Sequence, residues 1–423
     1  MIATAAPRAF RFYWILDPRR DLAFYIGSAL AGWLYVGVIV YAMATLRDPF
    51  RDALATVTVF GATIPLTLNL LVVVSWAFVL DAPHVWATLG RTLLDPDEWR
   101  TRGRELRRSF SLFFLGPLAI VAPYAAAPAL RLFGVALSPA QLGAGAVIFF
   151  VFFRLWAYYH VVRQHWGFLA LYRRKGGEQE PDEYRADTWF FNLALYLPLV
   201  LFMTSTYYSQ TPGLPNLGFR EPLAAGWSIG AIVHPIAAAV YAGALATYAA
   251  RQWRRWRAGR PLNGSKLLYL ALVVPLHFVA FSHPVLAAFV VPLVTVGHNI
   301  QYHCIVYAYG RRKYGDAAHP SQRLARLAFA NIGTYAAAGL LFTFLCYRGP
   351  WIAWVERAFG LSLDRAVLDS LAMMAGVQEP AALGLGQQLC AAAIVGFALQ
   401  HYYLDAKIWR VSRDREVRRH LRV

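Results

Sequence analysis

Charge is scarce and one-sided in this chain of 423 residues: 15% are charged against 58% hydrophobic, and 23 acidic residues face 41 basic ones for a formal net charge of +18. So little charge, with a mean hydropathy of +0.41, excludes an ordinary soluble globular protein and fits a polytopic membrane protein. Cysteine is almost missing. Cys304, Cys346 and Cys390 sit in or beside apolar stretches without CxxC spacing, which points to neither a disulfide framework nor a thiolate metal site. Long polar stretches and low-complexity linkers are also absent, so residues 1–423 read as a single integral-membrane domain. No Rossmann fingerprint or flavin motif occurs, so no flavin or nicotinamide site is expected. The segment Met1 to Asp21 mixes Arg8, Arg11, Arg19 and Arg20 with aromatics and lacks a compact apolar core, so it does not read as a cleavable signal peptide. The basic excess forms no continuous surface for nucleic acid. Arginines collect instead at the ends of apolar segments, where they act as topology signals.

What the chain has in plenty is apolar length. Taking about 20 apolar residues as one crossing, spans are expected near 23–46, 54–80, 110–128, 142–162, 188–206, 224–249, 266–282, 284–308, 325–347 and 385–408. The expected fold is therefore an all-α, polytopic transmembrane helical bundle of about ten spans. Basic residues fall on alternate connections, which with an even span count puts both termini in the cytoplasm, in a bacterial-type inner membrane. Pro275, Pro284 and Pro292 make 266–308 the segment where a broken helix or re-entrant hairpin is expected. Residues 351–377 alternate apolar and charged positions, as an amphipathic segment on the outer surface would.

One piece of grammar occurs twice. His160 and His165 are followed by Arg173, Arg174 and Lys175, while His298 and His303 are followed by Arg311, Arg312 and Lys313; the histidines are five apart and the cations begin eight later in both. Asp81 with His84, and His401 with Asp405, fall at the corresponding ends of two other spans, three and four residues apart, so each pair shares a helix face. Histidines five apart splay by about 140° on an α-helix. Either each then serves a different metal, or a π-bulge turns both inward. Ionisable groups inside a membrane mark a functional site by default, and imidazole with carboxylate suits iron, manganese, copper or zinc. The expected metal ligands are His84, His160, His165, His298, His303, His401, Asp81 and Asp405, enough for two ions, with Gln164, Gln301 and Gln400 set to fix imidazole tautomers. His234, His277 and His283 form a possible secondary group. Arg173, Arg174, Arg311 and Arg312 are expected to dock an anionic substrate head, while His319 and His420, in basic segments, are expected to be solvated.

On His84, His160, His165, His298, His303 and His401 the chain resembles the integral-membrane histidine-motif iron oxygenases, the class of fatty-acid desaturases, lipid hydroxylases and alkane monooxygenases, with HxxxxH standing in place of their HxxxH and HxxHH boxes. The resemblance implies a di-iron centre at the cytoplasmic ends of the helices, dioxygen as co-substrate, a lipophilic substrate drawn from the membrane lipid, and a separate electron donor such as a ferredoxin or reductase. A mono-iron carotenoid-cleaving dioxygenase is a neighbouring resemblance. Two other classes remain open: a proton- or metal-coupled transporter, which would carry such groups near the midplane, and a haem-binding electron-transfer protein using facing histidines as axial ligands.

Overall fold

The structure, a computed structural model, describes residues 10–178, 180–212, 214–215, 217–223, 226–315, 320–347, 384–411 and 413–422. It is 77% helical with almost no sheet, which settles the helical class. Six helical stretches are long and apolar enough to cross a membrane: Pro18–Thr45, Asn69–Leu93, Pro96–Leu132, Pro139–Lys175, Pro181–Met203 and Ile229–Arg257. The segment 351–377 lies outside the described residues. The fold resolves into two compact units, Met1–Tyr41 with Val161–His298, and Ala42–His160 with Asn299–Arg422. Besides the one after Tyr41, the boundaries after His160 and after His298 each fall between the two histidines of an HxxxxH pair.

In the first unit, β1 (Phe10–Arg11) pairs in parallel with β4 (Leu262–Asn263). Helix α1 (Pro18–Thr45) starts on an Asp17 cap with Pro18 in its first turn. Asp21 then accepts the Ile15 and Leu16 amides at 2.6 and 3.0 Å, fixing the incoming segment against it. The unit also holds the end of α5 (Pro139–Lys175) from Val161 onward, then α6 (Pro181–Met203), α7 (Ile229–Arg257), α8 (Gly264–Ala280), the short α9 (Pro284–Ala288) and the start of α10 (Val290–Tyr314). The three prolines of 266–308 fall where a helix tolerates or starts on them. Pro275 lies inside α8, Pro284 opens α9, and Pro292 sits in the first turn of α10.

Helix polarity explains the charged end of this unit. Asp182 and Glu183 occupy the first turn of α6, while basic residues fill the last turns of α5 and α7, each sign complementing its helix dipole. These groups meet as buried ion pairs: Arg173 Nε lies 2.7 Å from Asp187, Lys266 Nζ reaches Asp187 at 3.0 Å and Glu178 at 2.8 Å, and Arg255 reaches Glu183 at 2.6 Å. Tyr248 donates to Asp187 at 2.8 Å.

The second unit opens with an unexpected element. Residues expected to begin the second span form an antiparallel hairpin, β2 (Ala53–Val59) and β3 (Ala62–Thr67), turning at Phe60 and Gly61 with φ of 49° and 80°. Positive φ at both central residues is the signature of a tight hairpin turn, and glycine takes it without cost. The span itself, α2, runs Asn69–Leu93 with π-helical stretches at Asn69–Val74 and Ala77–Asp81. Next come α3 (Pro96–Ser109), α4 (Leu112–Leu132), the first part of α5 and the second part of α10, then α11 (Arg323–Ala328), α12 (Ile332–Tyr347), α13 (Leu385–Ile408) and α14 (Arg415–Leu421). Helix α13 packs closely on α4, and a Cβ at Gly396 would stand 2.6 Å from Phe113 Cδ1 and 2.9 Å from Phe113 Cα. Small residues at such contacts let membrane helices approach.

Candidate metal centre

Helices α5 and α10 are α-helical throughout, with no π-bulge between their paired histidines. Residues five apart on such helices diverge, and each pair divides accordingly. His160 and His303 belong to a group in the second unit, and His165 and His298 to a group in the first. Each histidine of a pair can therefore serve a different site, the first of the two alternatives open in the sequence.

In the second unit His84 from α2, His160 from α5 and His401 from α13 are buried. Their rings meet edge to face, His84 to His401 at 4.3 Å and His160 to His401 at 4.9 Å between centroids. His160, His401 and Asp405 each offer a ligand atom, all within 4.8 Å of one another. Asp405 Oδ2 stands 3.9 Å from His160 Nε2.

A hydroxyl network fixes the proton positions. Thr88 and Tyr302 both donate to Asp405 Oδ1, at 2.7 and 2.6 Å. The Thr88 oxygen, its proton committed, is then an acceptor for His401 Nδ1 at 2.6 Å. His401 is thereby held as the tautomer protonated on Nδ1, which would make Nε2 the atom offered to an ion. Trp409 donates to the Tyr302 hydroxyl at 3.1 Å and completes the support. The same bonds tie α2, α10 and α13 together, so they serve packing as well as the site.

The remaining expected ligands of this unit are placed differently. Asp81, at the end of a π-helical stretch, meets the Asn299 amide at 3.4 Å. His303 donates from Nε2 to the Leu80 carbonyl at 3.2 Å and accepts at Nδ1 from Tyr335 at 2.9 Å, so a metal would have to displace one of these bonds. Its ring lies 6.3 Å from that of His84.

In the first unit His165, His277 and His298 are buried together, with His165 ring centroids 5.4 Å from His277 and 5.9 Å from His298. His165 Nδ1 lies 2.6 Å from the Tyr269 hydroxyl. Of the secondary group, then, His277 joins two expected ligands. His283 instead caps α9, accepting the Val285 amide at 3.2 Å, and His234 bonds to Thr204 and the Leu201 carbonyl at 3.2 and 3.1 Å while lining a groove with Phe202, Arg220, Tyr241 and Phe281.

No family model, curated protein or solved structure matches this chain. Function rests on the geometry.

Hydroxyls meet three of the imidazoles for which glutamine partners are expected from the sequence. Gln400 donates to Ser109 at 2.9 Å, and Gln301 is buried, while Thr88, Tyr335 and Tyr269 meet the rings of His401, His303 and His165. Gln164 precedes His165 and so projects about 100° away from it on the helix. One of these hydroxyls was signalled: Thr88 follows His84 by four and shares its face. Tyr302 is a buried carboxylate partner. Tyr269 and Tyr335 carry no local signal.

Three of the four arginines expected to dock substrate have internal work. Arg173 pairs with Asp187, Arg311 reaches the Ala330 carbonyl, and Arg312 donates to the His420 carbonyl at 2.7 Å. Arg174 is exposed and lines a groove with Glu178, Tyr184 and Arg185. His420 is not solvated as expected: it is buried, 5.4 Å from the Tyr309 ring, and pairs with Glu416 at 3.1 Å. His319 lies outside the described residues.

Proposed function

We propose that this protein is a membrane-embedded non-haem iron oxygenase that hydroxylates or desaturates a lipophilic substrate. The observation that carries this reading is the donor set of the second unit, two imidazoles and one carboxylate, His160, His401 and Asp405, within reach of a single ion. That set, with positions left for other ligands, is the one non-haem iron oxygenases use. His84, against the His401 ring, is a further donor. Iron held there would supply Lewis-acid and one-electron chemistry toward dioxygen, with the net electrons delivered from outside the chain. The chain's own residues do the rest. Thr88 holds His401 in its coordinating tautomer, the Tyr302 and Thr88 hydroxyls steady the Asp405 carboxylate, and burial of the three ligands keeps bulk water from the centre.

Electrons come from a separate partner, a ferredoxin or reductase, because the sequence carries no flavin or nicotinamide motif. The substrate enters from the lipid, and exposed Arg174 is the guanidinium of the expected four placed to meet an anionic head. The ten apolar segments make about ten crossings of a bacterial-type inner membrane with both termini in the cytoplasm. Metal analysis of protein purified without chelator tests the reading. Iron is expected in the wild type and is lost in Asp405→Asn and His401→Ala, while both variants remain in the membrane. A wild type without iron, or iron retained by both variants, overturns it.

A further inference from the structure

We propose that the groove beside His234 in the first unit binds an anionic membrane lipid, with Arg220 taking the head-group phosphate and an aromatic wall taking the start of an acyl chain. The groove has a volume of about 520 Å³, within the range of small-molecule sites. It forms where α6 ends at Met203, α7 starts at Ile229 and α8 ends at Ala280. His234, Ala238 and Tyr241 line it from α7, and at spacings of four and three residues they share one helix face. Phe278 and Phe281 complete the wall, with Tyr241 stacked on Phe278 at 5.3 Å between centroids.

Two polar groups on this lining lack a protein partner. Tyr241 is only 9% exposed, yet among the described residues its hydroxyl has no hydrogen-bond partner. A hydroxyl so enclosed is costly unless something in the groove bonds to it. His234 Nδ1 donates to the Leu201 carbonyl at 3.1 Å, because a carbonyl can only accept. Its Nε2 is then an acceptor, again without a partner among the described residues.

The charge at the groove is a cation that no acid neutralises. Arg220 is exposed, and among the described residues no carboxylate stands within ion-pair distance of it. Its place is nonetheless set. The Gly230 amide donates to the Phe219 carbonyl at 2.7 Å, and a Cβ on Gly230 would stand 2.9 Å from Arg220 Cδ, so the arginine stem lies along the first turn of α7. A guanidinium binds phosphate through charge-assisted hydrogen bonds. Helices α6 and α7 are long and apolar enough to cross a membrane, so the phosphate that arrives there with an apolar chain attached belongs to a lipid of the bilayer. The groove beside Arg174 is distinct, because it is lined from the opposite, Pro181 end of α6. Nothing in this site depends on iron in the second unit, and the two readings fail separately.

Native mass spectrometry of the full-length protein in detergent, titrated with phosphatidylglycerol and with phosphatidylcholine, tests the proposal. Wild type should bind phosphatidylglycerol about tenfold more tightly than the zwitterionic lipid. Arg220→Gln should weaken phosphatidylglycerol by about 10- to 100-fold, the effect of losing a hydrogen bond to a charged group, and abolish the preference. Ala238→Trp, at an exposed position of α7, fills the groove and should block both lipids there. Arg185→Gln, an exposed arginine at the other end of α6, should bind as wild type does. Unaltered phosphatidylglycerol affinity in Arg220→Gln, or an equal loss in Arg185→Gln, would overturn the proposal and leave Arg220 as an arginine reaching for the interface. Displacement of the lipid by an equal concentration of inorganic phosphate would overturn it too, by showing an anion site that does not read the chain.

Discussion

Thr88 shows how much a single hydroxyl controls here. It donates to Asp405, accepts from His401 and lies 2.5 Å from the Tyr302 oxygen. Thr88→Val keeps the shape and removes all three contacts, so His401 loses the acceptor that sets its tautomer. Metal affinity of the second unit should fall about 10- to 100-fold, read by titration with a competing chelator, while membrane insertion is unchanged because it depends on apolar length. An affinity equal to that of wild type would show that the network serves packing only. The same scale explains what the sequence could and could not reveal. The histidines announce themselves by type and spacing. Which of them share a site depends on how α5 and α10 are turned about their own axes, and that is set by tertiary packing, which no local pattern encodes.

Among the elements, helices were the most legible. Each of the ten apolar runs contains a helix in the described residues, because an apolar run of that length in lipid has few other ways to satisfy its backbone. The hairpin was missed for a physical reason. Hydropathy over a window ignores period, and Ala53–Thr67 is apolar enough to extend a span, yet Thr56 and Thr58 alternate with valines ahead of a glycine turn, which is strand grammar. One close helix contact of the second unit rests on Gly396. Adding one methyl in Gly396→Ala forces it against the Phe113 backbone and ring, and overpacking of this kind costs about 1–3 kcal/mol. A lowered unfolding temperature in detergent is the expected result. An unchanged one would mean α4 and α13 are free to part at that level.

At the scale of the whole molecule, the proposed topology makes the cationic ends of α5 and α10 cytoplasmic. Both ends are neutralised in part by buried acids, Arg173 by Asp187 and Lys313 by Asp95 at 2.5 Å. Those cations therefore serve as struts as well as orientation signals. Reporters fused after Arg8 and after Val423 should both be active on the cytoplasmic side only. A periplasmic signal from one fusion alone would break the even count of crossings, and periplasmic signals from both would reverse the inferred face of the site.

The hairpin carries a further consequence, for depth. Among the described residues its two strands pair only with each other, so each has an edge of amide and carbonyl groups that hydrocarbon cannot satisfy. Such an edge has to stand in water. Helix α2 would therefore enter the bilayer beside Asn69, and His84 lies at most about 22 Å further along at the 1.5 Å rise of an α-helix, the π-helical stretches shortening the path. In the proposed topology, with a hydrocarbon layer about 30 Å thick, a small stretch of sheet would work as a depth stop, keeping the imidazole away from the hairpin's side of the bilayer.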